Sequence, residues 1–165
     1  MNHLQDMPAQ PADEIETAVY AYGDMLFRIC LVMLGNEADA EDVVQDTMLK
    51  LLQKAPLFES PEHKKAWLIR TASNRCKDIK RFLFRHPQTD METLQEYTVN
   101  PEDSGILEAL MGIPEKFRIV LILYHVEGYH TYEIGKILGK SASAIKMRLQ
   151  KGRKLLKEKY RKEFL

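Results

Sequence analysis

A chain of 165 residues fits one ordinary domain or two small ones. Its hydrophobic share of 45 % is enough for packed cores and excludes a wholly disordered chain, while its longest wholly apolar stretches, 29–34 and 119–124, fall far short of the roughly 20 residues that span a bilayer. The formal net charge is zero, but 1–60 carries −8, 61–86 carries +6, 87–115 carries −7 and 116–165 carries +9. Each basic block therefore has its own local field, and the whole-chain charge does not argue against a polyanionic partner.

The first dozen residues are polar and acidic, without a basic segment leading into an apolar core, so no signal peptide is expected and the cytoplasm is the expected compartment. A first helix is predicted from about Asp13 to Leu34, with Ile15, Val19, Met25, Leu26, Ile29 and Met33 on its apolar side and Gly35-Asn36 stopping it. A second runs from about Ala38 to Lys54, where Val44, Met48, Leu51 and Leu52 form a helical stripe. On it, Asp42, Gln45, Asp46 and Leu49 share a face offset from that stripe. A leucine within an acidic face suits docking onto a basic protein partner. Asp39, Glu41, Asp42 and Asp46 lack His or Cys partners and any calcium-loop pattern, so no metal or other cofactor is expected.

Pro56 and Pro61 bracket a loop holding Phe58. A third helix follows from about Glu62 to Arg85, with Leu68, Ala72, Cys76, Ile79 and Leu83 on one side and Arg70, Asn74, Lys77, Arg81 and Arg85 opposite. Amide and aromatic groups beside a basic face suit unstacked bases, which stack on rings and expose hydrogen-bonding edges. Trp67, at the edge of that face, reads better as a core residue than as a DNA contact, and Cys30 and Cys76 read as small buried residues in a reducing compartment. The acidic, aperiodic stretch 87–103, with Pro87 and Pro101, reads as a flexible linker.

Beyond it, Ile106, Leu107 and Leu110 suggest a short helix closed by Gly112, and Pro114 suits the start of the next. Phe117–Val126 is apolar nearly all round, as the central helix of a bundle would be. Two helices then follow, Thr131–Leu138 and about Ala142–Arg161. Thr131 can cap the first and Glu133 favours its first turn; Ile134, Ile137 and Leu138 face inward. Gly135 is small where the next helix must approach, Gly139 suits a positive-φ turn, and Ser141 or Ser143 can cap the last helix. This is a helix-turn-helix. Its last helix buries Ile145, Leu149, Gly152 and Leu156 and offers Ser143, Ala144, Lys146, Met147 and Gln150 to base edges, with Arg148, Lys151, Arg153, Lys154 and Lys157 for phosphates. No run alternates with period two, so the fold class is all-α: two small helical domains, 13–86 and 104–165, joined by 87–103, the second a helix-turn-helix. The acidic 87–115 could lie against the basic 116–165 in the free chain.

Three stretches, DAEDVVQDTMLKLL at 39–52, KAWLIRTASNRCKDIKR at 65–81 and TYEIGKILGKSASAIKMRLQKGRKLL at 131–156, in this order and spacing, resemble the bacterial sigma factors of the extracytoplasmic-function (ECF) group. The resemblance runs from about Asp13 to Lys162. It implies a non-enzymatic specificity subunit of RNA polymerase. Asp39, Asp42, Gln45, Asp46 and Leu49 would dock on the β′ clamp helices, with the β flap as a further contact. Arg70, Asn74, Lys77, Lys80 and Arg81 would capture and help open the minus-ten element. Ser143, Ala144, Lys146, Met147, Arg148, Gln150, Lys151, Arg153 and Lys154 would read the minus-thirty-five element as duplex. An anti-sigma factor would be the usual inhibitor. The chain departs from the family at Ser73, where an arginine is usual and a positive charge is thereby missing, and at Met147, where serine is usual. Two other readings stay open: a helix-turn-helix regulator that is not a polymerase subunit, and a sigma mimic that binds another regulator instead of DNA.

Overall fold

The computed structural model describes residues 12–83 and 104–165, and the expected linker at 87–103 lies outside them. In chain order the helices are α1 (Ala12–Leu34), α2 (Glu37–Lys54), α3 (Pro61–Leu83), α4 (Ser104–Met111), α5 (Glu115–His125), α6 (Thr131–Leu138) and α7 (Ala142–Phe164). Among the described residues there is no strand, and the all-α expectation holds.

α1, α2 and α3 pack on one another, and α4, α5 and α6 gather around α7. α1 also packs on α5, and α3 on α6, so that one buried cluster runs through both groups. Leu26, Ile29, Cys30, Leu31 and Met33 of α1 are fully or almost fully buried. The α1 segment Ile15–Leu34, with mean hydropathy 1.4, is long and apolar enough to cross a membrane, and half of it is buried inside the fold. Hydropathy over 20 residues exposes this where a search for unbroken apolar runs does not; the burial is that of a core helix. Cys30 and Cys76 are buried and free. Their mutual hydrogen bond, and then burial, push the Cys76 thiol well above the usual thiol range.

Gly35, at φ 69°, ends α1, and Asn36 caps α2: its side-chain oxygen accepts from the Asp39 amide at 2.9 Å. That bond satisfies one of the amides a helix start leaves open. Asn36→Ala is expected to cost about 1 kcal/mol, read as a lower urea midpoint at unchanged slope.

The buried face of α2 is Ala40, Val43, Thr47, Met48 and Leu51. The expected stripe therefore turns by about one residue: Val44 is only partly buried and Leu52 is exposed. Thr47 can lie inward because its hydroxyl donates to the Val43 carbonyl at 2.7 Å, leaving no unmet polar group. Ser73 of α3 does the same, donating to Ile69 at 2.7 Å and burying completely. The charge expected to be missing there is thus missing from a core position, not from the exposed side that carries Arg70 and Asn74.

α5 is the buried centre of its group, with Phe117 to Leu123 all inside. That run includes Arg118, a charged residue not foreseen in the core. α6 is capped by His130, one residue before the expected Thr131, and the Glu133 carboxylate accepts from the His130 amide at 2.8 Å. Leu138, expected inward, is only partly buried beside the buried Ile134, Gly135 and Ile137.

Candidate nucleic-acid and docking interfaces

The helix-turn-helix is built by its glycines and caps. Gly139 ends α6 at φ 67°, ψ 39°, left-handed backbone that suits glycine, and the Lys140 amide returns to the Gly135 carbonyl at 2.8 Å. A Cβ at Gly135 would stand 2.6 Å from the Lys140 carbonyl oxygen, so only glycine lets the turn fold back this closely. Ser141 then caps α7, its hydroxyl accepting from the Ala144 amide at 3.1 Å.

On α7, Ile145, Leu149 and Gly152 are buried, which fixes the rotation of the helix. Ser143, Lys146, Met147, Gln150, Lys151, Arg153 and Lys154 are thereby exposed, Met147 at 70 %, while Ala144 and Arg148 are partly buried. Arg153 is held in place: its Nε donates to His125 Nε2 at 3.3 Å and its guanidinium lies 5.3 Å from the Tyr124 ring centre. Burial, then Arg153 itself, lowers the His125 pKa, which keeps the ring an acceptor at neutral pH. That tether, unforeseen in the sequence, joins residues 28 positions apart.

On α3, Arg70 and Asn74 are exposed and Lys77 partly so, on one side of the helix, while the side chain of Arg81 lies outside the described residues. Lys80 is set apart from them. Its Nζ lies 3.2 Å from Glu115 Oε2 at the start of α5, and burial, then Arg118, lowers its pKa. Glu115, the last residue of the acidic stretch 87–115, therefore pairs with α3 and not with the basic helices after it.

The loop before α3 is fixed by local bonds. The Ser60 hydroxyl accepts from the His63 amide at 3.0 Å, and His63 Nδ1 accepts from the Glu59 amide at 3.2 Å. The Phe58 ring is held edge-on between His63 and Trp67, at centroid distances of 5.5 and 5.7 Å. Between this loop and α1 opens a cleft of about 730 Å³ whose walls include Tyr22, Phe58, Ser60 and Lys64. Trp67 itself is half-buried, nearer to the core role than to free solvent.

On α2, Asp42, Gln45 and Leu49 are exposed, Leu49 at 50 %, on the side away from Val43, Thr47 and Leu51. Asp46 lies on the same side and meets Arg75 of α3 at 3.2 Å, both half-exposed. Asp39 is partly buried in the first turn.

A helical protein with a capped, basic helix-turn-helix at one end, a basic helix beside an aromatic cleft at the other, and an acidic face with an exposed leucine defines a DNA-binding protein of more than one contact surface. Comparison with known proteins narrows the class. The sigma-70 region 2 profile matches residues 18–83, and the sigma-70 region 4 profile matches residues 104–156. The RNA polymerase sigma factor CarQ of Myxococcus xanthus is 30 % identical over 135 residues, covering 76 % of this chain and 77 % of CarQ. The ECF RNA polymerase sigma factor SigW of Bacillus subtilis is 27 % identical over 168 residues, covering 90 % of each. In fold, the chain is similar to the sigma factor RpoE of Bartonella quintana, solved in complex with the anti-sigma factor NepR, with TM-score 0.71, 20 % identity, and coverage of 92 % of this chain and 99 % of that one. The chain belongs to the sigma-70 family, in its extracytoplasmic-function group, and is a promoter-directing RNA polymerase sigma factor. The reading as a regulator outside the polymerase is not favoured.

Proposed function

We propose that α2 docks the chain on the clamp helices of the polymerase β′ subunit, that α3 and the loop before it capture unpaired bases of the minus-ten element, and that α7 reads the minus-thirty-five element as duplex, with the β flap supporting the second group of helices. The observation that carries this reading is the coexistence, on one chain, of the exposed Asp42–Gln45–Leu49 face and the rigidly capped basic helix α7. A regulator acting alone has no use for the first.

In this assignment Lys146, Met147 and Gln150, exposed near the N-terminus of α7, reach base edges, with Ser143 and Ala144 beside them. Arg148, Lys151, Arg153 and Lys154 hold phosphates, Arg153 pre-positioned by His125 and Tyr124. Asn74 supplies a hydrogen bond to an unstacked base, Arg70, Lys77 and Arg81 follow the strand, and Lys80 joins them once free of Glu115. The cleft walled by Phe58 and Tyr22 has both the room and the ring for a flipped base. Opening a base step costs about 1.4 kcal/mol of stacking, and such capture offsets part of it.

The chain itself supplies no bond chemistry; catalysis belongs to the polymerase. It acts in the cytoplasm, and a regulator of the anti-sigma kind would restrain it, as NepR accompanies the structural relative. Run-off transcription with purified core polymerase on genomic DNA tests the reading: discrete, chain-dependent start sites are expected, and their absence with several bacterial cores would overturn it. In the same assay Asn74→Ala is expected to lower initiation about fivefold to tenfold, the worth of one lost hydrogen bond of about 1 kcal/mol or slightly more, while core binding stays unchanged.

A further inference from the structure

The tether between α5 and α7 reaches further than the orientation of one side chain. Arg153 Nε donates to His125 Nε2 at 3.3 Å, and the guanidinium lies 5.3 Å from the Tyr124 ring centre. The two rings meet edge-on at 5.0 Å. Tyr124 is half-buried near the end of α5, so the assembly is anchored on the central helix of its group. A guanidinium has five N–H donors in a planar fork. One is engaged by His125, and the Nη groups of the exposed Arg153 are left for another ligand.

Arg153 also walls a cavity of about 320 Å³, together with Tyr124, His130, Thr131, Lys146 and Gln150. Lys146 and Arg153 are cations two turns apart on α7, and among the described residues that wall the cavity there is no carboxylate. The cavity thus offers an anion a fork, an ammonium, an amide and a hydroxyl. His125 is not one of its walls. The ring touches the arginine, not what the cavity takes.

We infer that this cavity seats one backbone phosphate of the minus-thirty-five duplex, and that His125 is a positioning residue, holding Arg153 in the phosphate-taking arrangement only while its ring is neutral. The inference rests on the promoter reading above for the identity of the phosphate. A neutral ring that accepts at Nε2 carries its proton on Nδ1. A second proton goes to Nε2, which turns the acceptor into a donor and sets two cations against each other. Arg153 then leaves the ring and loses the order that the tether supplies, so a phosphate must pay for that order on binding. Around the ring, the charged group from α7 is Arg153, the neighbour on α5 is Tyr124, and His130 stands at the cavity wall at the start of α6. Burial and then Arg153 favour the neutral ring. The seat is therefore assembled above the His125 pKa and lost as pH falls through it, below the ordinary value of about 6.5. That sign is the reverse of simple electrostatics, in which a protonated histidine near phosphate tightens binding.

The test uses the full chain with a duplex carrying the minus-thirty-five element of a start site mapped by run-off, and with a scrambled duplex. Affinities are read at about pH 5 and about pH 7.5 at one ionic strength. His125→Gln keeps an acceptor that does not titrate, and the other histidines titrate alike in both chains. On acidification the parent should lose about fivefold in affinity relative to His125→Gln, the worth of about one hydrogen bond. At the higher pH, His125→Gln should bind more tightly than His125→Leu, which has no acceptor. Arg153→Lys keeps the charge without the fork; in that background the parent ring and His125→Gln should respond to pH alike. In the free chain, the NMR signal of Arg153 Nε–H should broaden as His125 titrates. A parent that tightens relative to His125→Gln on acidification would make His125 a direct phosphate contact and overturn the positioning role. A flat ratio while NMR shows His125 titrating would overturn it too. The expected pH ratio, with equal affinity for both duplexes, would support the seat and sink the promoter reading, because a phosphate seat is indifferent to sequence.

Discussion

Gly135→Val is expected to destroy the helix-turn-helix while leaving α1, α2 and α3 folded. The cause is distance. A Cβ at this position would sit 2.6 Å from the Lys140 carbonyl oxygen and 3.5 Å from the Ala142 amide nitrogen. Both are backbone atoms of the turn, so neither can swing aside as a long side chain would. Relief requires the turn to open, which displaces Gly139 from its left-handed conformation and Ser141 from its cap on α7. Overpacking of this kind costs up to about 3 kcal/mol, and loss of the serine cap adds about 1. Valine brings little compensating helix propensity, whereas alanine recovers about 1 kcal/mol over glycine. Gly135→Ala should therefore be destabilising but milder. Gly23 in α1 gives the opposite sign: only a Val19 methyl lies within reach, at 3.8 Å, so Gly23→Ala should stabilise by about 0.5–1 kcal/mol. Urea unfolding measures all three, and loss of minus-thirty-five duplex binding should accompany only the Gly135 variants. A Gly135→Val protein of unchanged stability and duplex affinity would refute this account of the turn.

That turn was legible from sequence because its determinants are local. Two glycines four residues apart, a serine just after the second and apolar residues at helical spacing leave little freedom. The same holds for the exposed basic side of α7, where Ile145 and Leu149 fix the rotation. Rotation is harder to read where polar residues can lie inward. Thr47 and Ser73 each return a hydroxyl to the carbonyl four residues back, which makes them as buriable as alanine. Apolar counting alone therefore turns α2 toward Val44 and Leu52 instead of Val43 and Thr47. Arg118 is the larger omission. Its seat among Phe117, Ile119 and Val120 is visible in the sequence, and a lone cation in an all-round apolar helix must find acceptors or a route to water. Its acceptor on Met33 lies 85 positions away and is a backbone carbonyl, which no side-chain pattern announces. Lys80 falls among the expected DNA-binding cations of α3 for the same reason: its partner Glu115 is remote in sequence. The contact between the two groups of helices belongs to this class of fact, set by tertiary geometry and not by local propensity.

The second large effect concerns α2. Leu49→Asp is expected to weaken binding to core polymerase by about thirtyfold, and Asp42→Lys by a smaller, salt-dependent factor. Leu49 is half-exposed in the free chain, with Asp42 and Gln45 around it. An apolar side chain in the middle of a charged face contributes most when a partner covers it, and a charge placed there must be buried unpaired. A loss of about 2 kcal/mol, converted at 1.4 kcal/mol per tenfold, gives the factor stated. Asp42 acts differently: a rim carboxylate steers encounter with a basic surface, so its reversal should slow association and fade at high salt. Asp46 is partly occupied by Arg75 across the α2–α3 groove. Exposed pairs of this kind are worth at most about 1 kcal/mol, so the polymerase could take the carboxylate over at little cost, and Arg75→Ala should leave core affinity nearly unchanged. Because these positions lie away from the core, the variants should unfold within about 0.5 kcal/mol of the parent, which separates docking from folding. Unchanged association and equilibrium constants for both Leu49→Asp and Asp42→Lys would move the docking surface off α2. The same proteins would still have to bind promoter duplex normally, since the α7 face proposed to read it is carried by the other group of helices.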